Sequence, residues 1–537
     1  MKSNMTRYMA MCVGLLLAGG LMTSCNDWIR EETPGKNTLE DFFSGGEMAI
    51  QAVNASYAPL QWEYNASFFS EWYIGDIASD DALKGGQNVS DGMDAYDIDN
   101  FKVNSSNPIL DDYWKAKYYG IARCNLALQE IPGVDPDDTM SESRKECLIG
   151  EAYFLRALYY FQLVRVFGGV PVVDYVVDTS DKWKAPRESR ETVYGHIIAD
   201  LKEAEKRLWN KSEYSAADLG RATKGAAQAM LCKAYLYVND YDNAYIWGKK
   251  FMDEQYATGQ YRLNANYGDN FTLAGENGVE SVFEVQYALE DTSDYGMFGS
   301  SRGTFTTKLV RPRSSSLGMQ AGWGWNHPTQ NLYDEFEPGD PRREATIGVP
   351  EGADLLQEDV NYLGNHYYNR KYAYEERGEF PALQHDSRGP LNYKMIRLSD
   401  VMLLYAEAAL ESGKDMGASR QMLENVRARA RANSADPANT LPAFPGYNGY
   451  ADNMESLRQA IRHERRVELA MEAHRWFDIT RWGIAAEIMD KDRGSYGSKE
   501  TAAARAEMAN FIPGKNELFP IPIKEIHLNP MEQNSGY

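Results

Sequence analysis

The sequence predicts a mainly α fold: an interrupted tetratricopeptide-like helical scaffold with a large loop-rich, partly β binding region. Three observations predict it. Residues 223–252 and 397–429 share one plan: a helix, a short polar break and a second helix. Small residues (Ala234, Ala408) stand where helices pack closely, with Tyr235 and Tyr405 beside them. A unit of about 34 residues built this way is a tetratricopeptide repeat. The units are not in tandem. Long insertions separate them, and the largest, 256–390, is rich in Gly, Asn, Asp, Ser and aromatics and poor in helical runs. Finally, 455–483 has no proline and its only glycine is the last residue, so it predicts one long helix closed by a glycine cap.

Taken in order, the chain opens with Lys2 and Arg7 ahead of an apolar run at 9–22, too short to span a bilayer comfortably. That run ends Leu21-Met22-Thr23-Ser24-Cys25, which resembles a bacterial lipobox with Met22 where leucine is usual. The expectation is a lipoprotein signal peptide over 1–24, lipidation at Cys25 and a lipidated tether over 25–45. One domain is expected over 46–537. Its helical repeats lie at about 111–255 and 391–510, its loop-rich ligand region at about 61–110 and 256–390, and a docked tail at 511–537.

Within that domain, Ile50, Val53, Asn54 and Tyr57 recur at helical spacing in a first helix over 46–59. An acidic, glycine-punctuated loop follows. Helical periodicity returns at Asp111 and runs to Pro132, resumes over 143–167 with a wide apolar face until Gly168-Gly169, and continues over 190–209. Residues 279–287 alternate as a strand would. The proline-locked segment from Phe519 to Pro522 predicts a tail docked on the fold.

The formal charge of −22 opposes binding to a polyanion, so nucleic acid is not an expected partner. Cys124, Cys147 and Cys232 are an odd, scattered set in helical, apolar surroundings; they read as buried free thiols and have no zinc spacing. The 455–483 helix would place Glu464, Glu468 and Glu472 on one face, which looks catalytic. Each known geometry lacks a partner there. His463-Glu464-Arg465-Arg466-Val467 has valine where a zinc protease needs its second histidine, and Glu472-Ala473-His474 is one residue short of Glu-x-x-His. A glycosidase needs two opposed acids, which one helix face does not provide. The expected role is ion-pair bracing within the segment: Arg465 with Glu468, Glu472 with Arg475, Arg475 with Asp478. Asp76, Asp80 and Asp81 could hold a structural calcium, although no Asp-x-Asp-x-Asp-Gly loop is present. In the large insertion, Trp323 and Trp325 are two apart between glycines. On an extended backbone they would face the same way, a surface suited to the C–H face of a sugar or, equally, to packing the loop onto the core.

Several blocks together resemble one family. They are the lipobox, FLRALYYFQLVRVFGGVPVV at 154–173, NHPTQNLYDEFEPGDPRR at 326–343, ERRVELAMEAHRWFDITRWG at 464–483, and the tail FPIPIKEI…NP…QNSGY. The set is similar to the SusD/RagB family of outer-membrane nutrient-binding lipoproteins of Bacteroidetes. The acidic stretch after Cys25 resembles that group's surface-export signal. The resemblance implies a non-enzymatic protein, lipid-anchored at the cell outer membrane and surface-exposed. It would capture oligosaccharide, or peptide in the RagB branch, and pass it to a SusC-like TonB-dependent transporter. A carbohydrate-active hydrolase is the distant third reading. Residues 80–101 and the insertion around Trp323 resemble the stretches that contact ligand in glycan-binding members. On that basis Trp323, Trp325, Tyr96, Asp97, Asn100 and Tyr295 are the ligand-binding candidates.

Overall fold

A computed structural model describes residues 43–179, 182–289, 296–299, 301–313, 321–349, 367–373, 388–490 and 510–537. Cys25 and Tyr295 lie outside the described residues. Among the described residues, the helices named here are α1 (Gly46–Tyr57), α2 (Met93–Asp99), α3 (Pro108–Glu130), α4 (Glu142–Phe167), α5 (Arg190–Arg207), α6 (Lys224–Tyr237), α7 (Tyr241–Phe251), α8 (Leu398–Glu411), α9 (Met416–Ala432), α10 (Met454–Glu468), α11 (Arg475–Arg481) and α12 (Ile523–Leu528). Local chemistry starts most of the long ones. Asn107 accepts from the backbone N–H groups of Ile109 and Leu110 ahead of α3. Ser141, Ser189, Thr223, Asp415 and Asn453 cap α4, α5, α6, α9 and α10 in the same way.

From α3 to α9 each helix packs on the next, and α10 closes against α8 and α9. The two sequence-predicted repeats are α6–α7 and α8–α9, and they meet directly. A Cβ at Gly248 would lie 2.7 Å from the Tyr405 ring, so α7 needs glycine there to reach α8. Cys124, Cys147 and Cys232 are buried free thiols. The insertions contribute three two-stranded antiparallel ladders: β1 (Ala82–Gly85) with β3 (Trp325–Pro328), β2 (Ser281–Val285) with β6 (Tyr393–Arg397), and β4 (Ile347–Gly348) with β5 (Tyr368–Asn369). The tail is docked: Phe519 N–H donates to Val166 O at 2.8 Å and Ile523 N–H to Ser105 O at 2.8 Å. Its prolines give way to a short helix, α12. Among the described residues no helix is long and apolar enough to cross a membrane.

The expected long helix over 455–483 is two helices, α10 and α11, with a break at residues 469–474. Met471 and Ala473 there take left-handed φ values of 62° and 64°. Propensity favoured continuation, and tertiary partners overrode it. The carbonyls that the next turn would have used are taken from outside. Tyr267 Oη and Arg397 Nη2 donate to Glu468 O at 2.7 and 3.0 Å, and Lys371 Nζ donates to Ala470 O at 2.7 Å. Asp76 Oδ1 accepts from Ala473 N–H at 2.8 Å, and Gly75 sits so close that a Cβ would lie 2.3 Å from Ala473 O.

Candidate ligand-binding face

The face is built from the loop after α1, the loop carrying β1 and α2, and the insertion carrying β3. Residues 62–64 set its direction. Glu63 turns inward, accepting from the hydroxyls of Thr304 at 2.9 Å and Thr306 at 2.8 Å and from Phe305 N–H. Side chains alternate along an extended backbone, so Trp62 and Tyr64 emerge together on the opposite side, both half-buried. Burial raises the Glu63 carboxyl above its ordinary range against these hydrogen bonds. A bridge between Tyr64 and Phe68 closes a small loop that Asp112 holds from beneath: Asn65 Nδ2, Ala66 N–H and Ser67 N–H all donate to its carboxylate at 2.8–2.9 Å.

That loop delivers a run of rings. Tyr64 and Phe68 are 4.8 Å apart between centroids, Phe68 and Trp323 5.4 Å, and Trp323 and Trp325 5.6 Å. Trp323 is half-buried. The two tryptophans do not form a flat pair: their planes cross at 65° and Trp325 is only 5% exposed. Trp325 lies under Gly92, whose Cβ would stand 2.4 Å from its ring, and its Nε1 donates to Asp91 Oδ2 at 3.4 Å. The expectation of two rings presented together is corrected. Pairing of β1 with β3, which sets Gly85 opposite Trp325, tucks the second ring under the glycine-rich turn.

Polar groups edge the rings. Asp91 and Arg313, each a little under a third exposed, approach to 3.7 Å, and Arg313 Nη1 donates to Trp323 O at 3.4 Å. Asn107 Nδ2 donates to Asp94 O at 2.9 Å, which ties α2 to the start of α3. Tyr96 and Asp97 on α2 are half-buried. Burial, and then the charge of Asp94, push the Asp97 carboxyl above its ordinary value. Asn100 is fully buried; its Oδ1 accepts from Lys102 N–H at 3.0 Å, so it shapes the turn after α2 and does not stand on the surface. Sequence reasoning missed Trp62, Tyr64 and Phe68. The signal was there in the aromatic density of residues 62–73, directly after the first helix.

The acidic residues that looked catalytic or calcium-binding are elsewhere and are occupied. Glu464 meets Arg342 at 2.6 Å and Arg427 at 3.1 Å. Glu468 meets Arg429 at 2.6 Å, Arg397 at 3.0 Å and Arg342 at 3.1 Å. Glu472, off the helix, meets Lys371 at 2.7 Å and Arg397 at 2.8 Å. All three glutamates are essentially unexposed. Burial would raise the Glu468 carboxyl, but the guanidinium groups of Arg429, Arg397 and Arg342 outweigh it and hold the carboxyl far below its ordinary value. The bracing is therefore real but its partners differ from those expected. Arg465 pairs with Asp400 and Asp478, and Arg475 with Asp80, across the fold and not along one helix. The calcium reading is corrected in the same way: Asp80 is held by Arg466 and Arg475, Asp81 by Arg466, and Asp76 by Asn326 and Ala473 N–H. Buried among few countercharges, Asp76 is pushed up to about 7.

The SusD family model matches residues 279–537, and a second model, described as starch-binding associating with outer membrane, matches 27–236. The chain belongs to the SusD/RagB family. It is 27% identical over 511 residues to SusD-like protein P38 of Formosa agariphila, covering 89% of this chain and 92% of that protein. Among solved structures it is similar to a laminarin-binding SusD-like protein, 27% identical, with a TM-score of 0.74 and coverage of 92% of this chain and 100% of that one. It shares its fold with surface glycan-binding protein A from Bacteroides fluxus at 23% identity and a TM-score of 0.77, over 92% of this chain and 100% of that one. The family is thus one of glycan-binding proteins associated with the outer membrane, and its helical scaffold is the one found here.

Proposed function

We propose that this protein is a cell-surface glycan-binding lipoprotein that captures oligosaccharide on the Trp323 face and delivers it to a SusC-like TonB-dependent outer-membrane transporter. One observation carries the reading: the Tyr64–Phe68–Trp323 run of rings lies beside carboxylates and a guanidinium that are only partly buried. Rings pack against the C–H faces of a sugar, and Asp91, Asp94, Asp97 and Arg313 offer acceptors and donors to its hydroxyls. Tyr96, half-buried on α2, is a further candidate contact, and Trp325 packs against Trp323. The name of the laminarin-binding relative favours a glycan over the peptide alternative.

The protein acts as a binder and not as a catalyst in this reading. The buried carboxylates of Glu464 and Glu468 on α10 are spent in ion pairs. Cys25 carries the lipid that holds the domain at the membrane, with 1–24 removed. Isothermal titration against laminarin, starch, xylan and galactomannan tests the binding. If none of them binds and a peptide mixture does, the glycan reading is replaced by peptide capture. Membrane fractionation of Cys25→Ala tests the anchor; retention of that variant in the outer membrane would defeat it.

A further inference from the structure

A second aromatic cluster lies next to the Trp323 face. Trp62, Tyr119 and Phe298 come from three separate parts of the chain: the loop after α1, the exposed side of α3, and a short turn at residues 296–299. Their centroids are 5.0 Å apart for Trp62 and Phe298, 4.9 Å for Tyr119 and Phe298, and 6.0 Å for Trp62 and Tyr119. The planes cross at 60–85°, so the rings form a corner. Phe298 is 62% exposed and Tyr119 43% exposed. Single exposed aromatics need no explanation, but three contiguous rings brought together from distant sequence mark a surface that meets something.

The turn presents Phe298 deliberately. Gly299 N–H donates to Gly296 O at 2.7 Å, and Met297 is buried with its N–H donated to Tyr64 O at 2.9 Å. Phe298 takes φ 68°, a left-handed conformation that costs a bulky residue, and its ring is held outward. Behind the corner, the Arg123 guanidinium stacks 5.0 Å over Trp62 and gives one N–H to Ala55 O at 2.8 Å. A guanidinium carries five N–H donors, so Arg123 supplies hydrogen-bonding capacity at the edge of the rings.

Continuity identifies the occupant. With Glu63 turned inward, Trp62 and Tyr64 emerge on one side, and Tyr64 leads through Phe68 to Trp323. Met297 hydrogen-bonds to Tyr64 itself, which fixes the corner against the run of rings. We infer that the Trp62–Tyr119–Phe298 corner is a second subsite that takes the distal sugar units of a long glycan whose nearer units lie on Trp323 and Phe68. This inference rests on the glycan reading of the Trp323 face. Its consequence is a preference for long chains, since two linked contacts on one ligand reinforce each other.

The test is a comparison of chain lengths. The probes are whichever of laminarin, starch, xylan and galactomannan binds, with its trisaccharide and its hexasaccharide. Phe298→Ala with Tyr119→Ala changes two exposed side chains; an unchanged melting temperature confirms the fold. The expected result is at least a tenfold loss of affinity for polymer and hexasaccharide with trisaccharide affinity unchanged, whereas Trp323→Ala weakens all three. If the double variant binds polymer as the wild type does, or loses trisaccharide and polymer in equal proportion, the second subsite is wrong while the Trp323 face stands. Full glycan affinity combined with loss of co-purification with a membrane transporter would make the corner a protein contact and also overturn it. If no polysaccharide binds the wild type, the Trp323 reading fails and the subsite with it.

Discussion

Two regions of the molecule are rich in acidic residues, and they use them in opposite ways. Around α10 and α11 the carboxylates of Glu464, Glu468, Glu472 and Asp478 are buried and each is met by guanidinium or ammonium groups. Around Trp323 the carboxylates of Asp91, Asp94 and Asp97 are partly solvated beside open rings. A buried charge that is fully paired has no capacity left for a ligand, and removing its partner is expensive. A half-exposed charge contributes little to stability and keeps its lone pairs available. The difference teaches that alignment of carboxylates along a helix indicates a site only if their partners are absent.

Four experiments would break or sharpen that contrast. Glu468→Ala should have the largest effect, because it takes one buried countercharge at once from Arg342, Arg397 and Arg429; a loss of about 3–5 kcal/mol in urea unfolding is expected. A loss below about 1 kcal/mol would mean that the network is not a brace. Next is His463, held between Glu335 at 2.7 Å and Glu337 at 3.4 Å. Burial alone would lower it, but these two carboxylates raise it to about 9. A raised histidine stabilises fully below its unfolded value near 6.5, and that contribution is lost as pH rises through about 9. Its size is on the order of 1–3 kcal/mol. The partners set the other limit. Burial would raise Glu335 and Glu337, but charges led by Arg466 for the first, and hydrogen bonds from His463 and Arg427 for the second, lower both to about 2. Their contribution is present above their ordinary range and lost as pH falls toward about 2. His463→Gln should flatten the urea midpoint between neutral pH and pH 9.

Third, Trp323→Ala should weaken glycan binding about tenfold, or about 1.4 kcal/mol, in titration calorimetry, with a small change in melting temperature. Loss of the fold instead of the ligand would place Trp323 with the brace. The smallest effect is expected at Lys524, which is 66% exposed while bridging to Asp111 at 2.7 Å. Lys524→Ala should cost less than about 1 kcal/mol in the same unfolding assay. A cost approaching that of Glu468→Ala would erase the distinction between buried and exposed pairs.

Much of the scaffold was legible. Apolar periodicity and caps located α4, α5 and the α6–α7 and α8–α9 pairs to within a few residues, because each helix must bury one stripe and satisfy its own ends. The candidate site was legible only in part. Trp323 lies in the run of rings and Tyr96 and Asp97 are half-buried on α2, but Asn100 and Trp325 are buried, and nothing local distinguished them from their exposed neighbours. Trp62, Tyr64 and Phe68 escaped notice because their side was decided by Glu63, whose hydrogen bonds reach residues more than 240 positions away.

By itself, then, the sequence determined the helical scaffold and the family, since propensity, periodicity and motif order are local properties. Tertiary structure alone decided where the helix over 455–483 breaks, which carboxylates are spent in ion pairs, and which rings stay open. Those outcomes depend on Arg342, Lys371 and Arg397 arriving from distant segments to take carbonyls and carboxylates that local rules would have left to the helix or to solvent.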